Sequence, residues 1–457
     1  MDSNKEIPVI KTFIHNEQYY VYDASTNEML KILKDDFIKI NELKRDGRVA
    51  YMNRHLNDPQ DHVIHLMKQG YFKAEFIQTI ENPYNGDFED LLKRSIDDIT
   101  LQVTQECNFK CRYCSFSINN NIGRTHKKVH MEWDIAQKSI DFFMKHSANS
   151  DIVTVSFYGG EPLLNFELIK KVVLYSLKVF NSKTVRFVTT VNGSLLTDEI
   201  VDFIAKHNFL LSISLDGPRS IQNRHRLYLN SGGGTFDVVY NNILRFRKRY
   251  PQYFKEHIFF LPVLFENESK TDVIDFFEHN LNIDVNHLNI HTADMSGIDY
   301  MFSRPMVTSK ENDGGNNKYA IDGDLERLLL NSYNDKKNIE GEWHHKGPCI
   351  PGVNRLFVDV NGVLYPCEKC VDNKFLSIGD IFDGFDLKKI YDYMNIGKLT
   401  ENECKHCWAM RFCDICALRC LNIDTNSFCK NTKLKSCAYE KNKTLIFLRN
   451  LINERDR

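Results

Sequence analysis

The segment ECNFKCRYCSF, residues 106–116, sets Cys107, Cys111 and Cys114 in a C-x3-C-x2-C spacing, and no further cysteine follows for more than two hundred residues. A closed structural zinc site takes four ligands, so three thiols fall short of one. A cubane iron–sulfur cluster has four irons, and three thiolates leave one of them with an open position, which makes it a site for chemistry rather than a staple. The plainer alternatives for these residues are three reduced thiols in a loop, or half of a zinc site.

The elements that must position this triplet are legible in the surrounding pattern. Residues 99–105, 152–158, 185–191, 210–215 and 258–265 read as strands. Stretches such as MEWDIAQKSIDFFMKH, FELIKKVVLYSLKVF, TDEIVDFIAKH and FDVVYNNILRFRKRY read as the helices between them. That alternation predicts right-handed βα crossovers and a parallel sheet, rolled or open. Such sheets gather reactive groups at the carboxyl ends of their strands.

The triplet follows the first strand. The second ends in YGGEP, where Gly159 and Gly160 permit close backbone approach to a ligand and Glu161 can accept hydrogen bonds from an ammonium group. The same residues also suit a tight turn with a capping carboxylate. The third strand runs into NGSLLTDE and the fourth into SLDGPRSIQNRHR, which places Asn192, Ser214, Asp216 and Arg226 at the same rim. Singly, each suits a turn or a surface ion pair; together with the cysteines they suggest one site.

Composition narrows the partners and the compartment. The 457 residues carry 59 Lys and Arg against 61 Asp and Glu, which argues against nucleic acid or an anionic membrane as a partner. The opening MDSNKEIPVIK has no apolar core of the signal-peptide kind, and the longest apolar run, IFFLPVLF, is far short of a bilayer span. These features predict a soluble cytoplasmic protein, and in that compartment thirteen cysteines point to metal rather than to disulfides. Ahead of the sheet, residues 9–35 read as extended segments with a polar turn at DASTNE. A helix is expected from Asp36 to Arg45 and another across DPQDHVIHLMKQGYF, with Asp58 near its start and Gly70 near its end. Residues 301–347 read as a loose connection, with KENDGGNNK a loop and one helix near DGDLERLLLNSY.

Taken in this order, CNFKCRYC, YGGEP, VNGSLLT and SLDGP followed by Arg226 resemble the radical S-adenosylmethionine (radical SAM) superfamily, in its peptide-modifying branch, over roughly residues 98 to 300. The resemblance implies an α/β fold with a partial (β/α)6, TIM-like barrel at residues 96–300 and a [4Fe–4S] cluster on Cys107, Cys111 and Cys114 whose open iron chelates S-adenosylmethionine. It implies that Tyr113 lies against the adenine, that Gly159, Gly160 and Glu161 take the methionyl amino group, and that Ser214 and Arg226 take the carboxylate, with Asn192 in a supporting contact. One electron entering the sulfonium through that iron cleaves a C–S bond, and the 5′-deoxyadenosyl radical removes a hydrogen from a substrate held beside it while the protein excludes water.

The tail extends the resemblance. CIPGVNRLFVDVNGVLYPC brings Cys349 and then Cys367, the latter closing a G-x4-C turn from Gly362, and CKHCWAMRFCDICALRC brings Cys404-x2-Cys407-x5-Cys413. This is similar to the SPASM extension with two auxiliary [4Fe–4S] clusters, assigned to residues 346–457 with a C-terminal helix. The likeness implies an outer cluster on Cys404, Cys407, Cys413 and Cys437, and an inner one on Cys349, Cys367 and a thiol of the Cys416/Cys420 pair, with Cys370 able to complete it and Cys429 spare. Without Cys370 the inner cluster keeps an open iron for a substrate thiolate. The spacing departs from the family between Cys413 and Cys420, so either member of that pair fits. The C-x2-C pairs also suit zinc sites. His344 and His345, beside Lys346, read as part of a solvated connection.

QYYVYDASTNEMLKI and the helices after it resemble, over residues 1–95, the winged-helix-like domain with which peptide maturases bind a leader peptide as an added strand; the plainer alternative is a small domain that only packs. The expected function is installation of thioether crosslinks, Cys sulfur to carbon, in a ribosomally made precursor peptide. The resemblance also implies a reducing partner such as flavodoxin or ferredoxin. Carbon–carbon crosslinking and formylglycine formation in sulfatases are alternatives on the same framework. A non-catalytic zinc-binding peptide scaffold is the alternative of another class.

Overall fold

The apolar runs after residue 98 pair side by side in the order in which the chain makes them. In this computed structural model, which describes residues 6–114, 126–265, 268–293, 323–335, 341–345, 349–353 and 355–455, the strands are β1 (Asp98–Thr104), β2 (Ile152–Gly159), β3 (Thr184–Val191), β4 (Leu210–Ile213) and β5 (Ile258–Phe260). Each is parallel to the next. Ile99, Leu101 and Val103 of β1 and Val153, Val155 and Phe157 of β2 are at most 1% exposed, which is why β-branched and aromatic side chains alternate there. The returning helices Trp133–His146, Phe166–Val179, Asp198–Lys206 and Phe236–Arg249 bury apolar residues at helical spacing, Val239, Ile243 and Phe246 in the last.

Two features depart from the sequence pattern. IFFLPVLF does not make one strand: β5 ends at Phe260, and Val263–Phe265 pairs separately with His291–Ala293. Pro262 between them has no N–H to give a ladder. The sheet also continues beyond β1 through β6 (Leu356–Val358), parallel to it, and then through the short antiparallel strands Val363–Tyr365, Gly379–Asp380 and Gly384–Phe385. Among the described residues the result is a mixed sheet of nine strands. All three residues of β6 are fully buried, and three residues are too few to show a period.

The chain forms two units, one of Asp87–Val307 with Ile350–Ile390, which holds this sheet, and another of Met1–Gly86, Thr308–Cys349 and Tyr391–Arg457. In the latter, Ile10–His15, Gln18–Asp23 and Glu28–Ile32 form an antiparallel meander. Asn16 and Glu17, both at positive φ, make its two-residue hairpin turn. Helices Lys34–Asp46, Arg48–His55 and His62–Lys68 close its core around Val21, Leu43, Tyr51, Val63 and Phe72.

The cap of the helix beginning at His62 is Asp61 rather than the expected Asp58. The Asp61 carboxylate accepts from the Ile64 N–H, the Tyr51 hydroxyl and Lys39, each at 3.0 Å. Glu28–Ile32 lies at the sheet edge, paired among the described strands with Gln18–Asp23 alone. The helix expected near DGDLERLLLNSY is present as Gly323–Asn334; the loop KENDGGNNK before it lies outside the described residues. No helix among the described residues is long and apolar enough to cross a membrane.

Asn27 shows how a turn holds a helix end. It is fully buried at positive φ; its amide donates to the carbonyls of Ser332, Tyr333 and Asp335 at 2.9–3.1 Å and its oxygen accepts from the Tyr22 hydroxyl at 2.7 Å. Asn27→Ala strands these groups and puts a Cβ-bearing apolar residue in left-handed backbone. The expected loss is about 2 kcal/mol in denaturant unfolding.

Candidate active site

The cysteine loop is held by backbone contact with the end of β2. The Gly160 N–H donates to the Thr104 carbonyl at 3.1 Å and the Glu161 N–H to the Glu106 carbonyl at 2.9 Å. A Cβ on Gly159 would stand 2.0 Å from the Thr104 oxygen, and one on Gly160 would stand 2.2 Å from the Glu106 oxygen and 2.9 Å from the Cys107 Cβ. The glycine pair therefore serves the approach of strand end to cysteine loop. From the sequence alone, that approach was expected to be toward a ligand.

Past Cys107 the loop forms a short strand, Phe109–Cys111, antiparallel to Arg226–Tyr228, which sets Arg226 directly opposite Cys111. An Arg226 Nη lies 4.0 Å from the Cys111 sulfur. Burial raises the Cys107 and Cys111 pKa values, the latter to about 12; Glu161 adds to the effect at Cys107, while Arg226 opposes it at Cys111. Cys111 and Cys114 also act on Cys107, so the three thiols share one neighbourhood.

A buried polar network ties this loop to the end of β4. The Tyr113 hydroxyl donates to both oxygens of Asp216, at 2.9 and 2.8 Å, and Arg226 Nε pairs with the same carboxylate at 3.0 Å. The Arg226 guanidinium stands 5.2 Å from the centre of the Tyr113 ring. Asp216 also accepts from the Val263 N–H, and its own N–H donates to Gln222. Gln222 donates to Thr235, which donates to the Arg226 carbonyl. Burial works against the Arg226 charge, but Asp216, Tyr113 and Cys111 outweigh it and raise its pKa.

Glu161 is 1% exposed and accepts backbone N–H groups of Leu163 at 3.1 Å and Asn192 at 2.6 Å. It is a capping carboxylate, and it also joins the ends of β2 and β3. Burial raises its pKa to about 7 against those two bonds, and no cation pairs with it among the described residues. Asn192 is bonded within the protein too, donating to Asn108 at 2.7 Å and accepting from the Ser194 hydroxyl and N–H. The half-buried Ser214 hydroxyl has no bonding partner among the described residues.

Two contributors escaped the sequence reading. Asn108 anchors the loop to β3, and His126 lies 3.7 Å from the Cys114 sulfur with its other ring nitrogen 3.2 Å from the Gln105 carbonyl. Asn108 had a signal, since it directly follows Cys107. His126 lies beyond residues 115–125, which are outside the described residues.

Among the tail cysteines, Cys404, Cys407, Cys413 and Cys437 belong to one unit; burial first, and neighbouring thiols of this set after it, raise the pKa values of Cys407, Cys413 and Cys437. Cys416 and Cys420 flank a short turn in the same unit, and the Cys420 carbonyl accepts from the Cys429 N–H at 2.8 Å. Cys429, at the start of the helix Lys430–Arg455, has its pKa lowered by the N–H groups of Thr432 and Asn431. Cys349 is exposed. In the other unit the Cys367 and Cys370 sulfurs are 3.9 Å apart, and that contact lowers the Cys367 pKa.

Among the described residues no three Cys, His, Asp or Glu side chains converge on a point where a single ion would sit. A cubane cluster spreads its thiolate ligands to its corners, and mutually interacting thiols fit that larger group as a donor set. His344 and His345 are not solvated as expected: they are 5% and 2% exposed. His344 accepts the Gly397 N–H at 2.9 Å, and burial lowers its pKa to about 4.

The Asp216–Arg226 pair gives a direct test. Asp216→Ala leaves a guanidinium buried without its carboxylate and is expected to cost about 3–5 kcal/mol of stability, whereas adding Arg226→Leu should recover part of the loss in a double-mutant cycle followed by denaturant unfolding.

Residues 101–279 match the family model described as the radical SAM superfamily. Over 424 residues, 85% of this chain and 82% of the relative, the sequence is 23% identical to the radical SAM cyclopropyl synthase TigE of Paramaledivibacter caminithermalis. It is 26% identical to a cysteine-type anaerobic sulfatase-maturating enzyme of Clostridium perfringens over 72% of this chain and 91% of that one. It is 30% identical over 141 residues to an uncharacterised protein of Methanocaldococcus jannaschii, of whose length the chain spans 46%. The solved structure of native anSMEcpe with bound AdoMet superimposes with a TM-score of 0.53 at 21% identity, covering 79% of this chain and all of that one, a likeness of fold. The cysteine triplet, the glycine pair behind it and the family match over the same strands lead to one conclusion: residues 101–279 of this chain are a radical SAM domain.

Proposed function

We propose that the enzyme is a peptide maturase that installs thioether crosslinks in a ribosomally made precursor peptide. On this reading Cys107, Cys111 and Cys114 hold a [4Fe–4S] cluster, and the parallel strands β1–β5, within residues 96–300, belong to a partial (β/α)6 barrel. Bound there, the cluster and S-adenosylmethionine supply a 5′-deoxyadenosyl radical.

The chain's own residues then bind and orient. Glu161, a buried carboxylate with two N–H donors and a pKa raised to about 7, gains from an arriving ammonium, which favours its ionised form. The Ser214 hydroxyl and the Arg226 nitrogens not engaged by Asp216 suit the methionyl carboxylate. With its hydroxyl held by Asp216, Tyr113 keeps a fixed ring plane for the adenine.

The observation that carries the peptide reading is the open edge of Glu28–Ile32 in a module of three strands and three helices. An extended leader adds there through main-chain hydrogen bonds, as in other strand-addition complexes. The same reading assigns residues 1–95 to leader recognition and the tail cysteines to two auxiliary clusters, the outer on Cys404, Cys407, Cys413 and Cys437. An external flavodoxin or ferredoxin is the electron source.

Co-expression with a cysteine-containing precursor tests the assignment. The expected product has lost two hydrogens per crosslink and, for each, one alkylatable thiol; an unmodified mass counts against it. The sulfatase-maturating relative, 91% of which is covered, favours formylglycine formation as a second reading. In that case a carbonyl reagent labels the product and no crosslink forms. TigE supports a carbon–carbon product, in which all thiols remain alkylatable. Zinc in place of iron and sulfide in anaerobically purified protein would remove the catalytic reading altogether.

A further inference from the structure

Lys433 is a buried ammonium whose described partners include no carboxylate. It is 1% exposed on the C-terminal helix, one turn before Cys437. Its Nζ donates to the Ile396 carbonyl at 3.0 Å and stands 3.8 Å from the Cys404 sulfur. The hydroxyl of Thr400, itself 1% exposed, is 3.2 Å from the same sulfur.

The acidic groups nearby are matched elsewhere. Glu440 pairs with Lys443 and with Arg419 at 2.6 Å, and Glu403, whose pKa Lys433 helps to lower, pairs with Lys430. Among the described residues Lys433 makes no ion pair. Two buried histidines in the same unit, His344 and His345, have pKa values lowered first by burial and further by the Lys433 charge, so they offer it no anion. A desolvated cation needs a counter-charge, and the group at hand is sulfur. A neutral thiol does not supply that charge, whereas a thiolate-ligated iron–sulfur cluster is anionic.

We infer that Lys433 is the built-in counter-cation of a cluster ligated by Cys404 and that, with Thr400, it sets that cluster's reduction potential. The inference rests on the outer ligand set given under Proposed function. A positive charge and a hydroxyl donor at a ligating sulfur stabilise the form that has gained an electron, so both raise the potential. Lys433 is a positioning residue in this account, acting through Cys404.

The test uses the full chain with Cys107, Cys111 and Cys114 replaced by Ala, so that iron and sulfide report on the tail alone. The component lost on further Cys404→Ala replacement is identified by electron paramagnetic resonance and followed in a potentiometric titration. Lys433→Met should move its midpoint to more negative potential, Lys433→Arg should restore most of the shift, and Thr400→Val should move it the same way by less. An unmoved midpoint in Lys433→Met with iron retained overturns the inference while leaving the ligand set standing. If Lys433→Met fails to hold iron, Thr400→Val decides, and an unmoved midpoint there overturns it. Absence of iron from the parent chain sinks the ligand set itself.

Discussion

The geometry around the cysteine triplet depends on two backbones lying closer than any side chain would allow. Gly159 and Gly160 let the end of β2 reach the carbonyls of Thr104 and Glu106, and the loop that carries Cys107, Cys111 and Cys114 is fixed by that approach. Glu161 then bonds onward to the Asn192 N–H, and Asn192 to Asn108, so the loop is tied in turn to β2, to β3 and back to itself. Residues separated by some eighty positions become neighbours through main-chain bonds and short polar side chains, which tolerate little change in length.

The second constraint is electrostatic. Asp216 is fully buried and answers to both Tyr113 and Arg226, and the pairing of Arg226–Tyr228 with Phe109–Cys111 places the arginine beside the middle thiol. These polar groups fix one another's positions, so the end of the sheet beside the cysteine loop is held in one arrangement.

How much of this the sequence displayed depended on the range of the interaction. Strand and helix order was readable from β1 to β4 because the alternation of Val, Ile and Phe is local, and the gathering of the cysteine loop, Glu161, Asn192 and Asp216 at the strand ends followed from it. Pro262 marked the break in IFFLPVLF, but where the second half would pair was a tertiary matter. The three-residue β6 and the helix Arg48–His55 are too short to show a period. His344 and His345 were misjudged because a neighbouring lysine says little about burial; their environment is made by residues such as Gly397 that are distant in sequence. For the glycine pair the residue type announced close approach, while the partner it approached needed three dimensions. The likeness of the tail cysteines to a two-cluster extension was visible, whereas the buried charge of Lys433 beside one of them was not, because nothing in the helix pattern distinguishes it from a solvated lysine.

The open edge of Glu28–Ile32 has a consequence of its own. Unpaired strand backbone is a template for any extended chain, including a second copy of the same protein, and unguarded edges invite aggregation. Lys31 is the one exposed side chain on this strand. A charged side chain on such an edge, lysine above all, disfavours its pairing with another sheet. On Glu28–Ile32 the exposed side chain that supplies such a charge is Lys31.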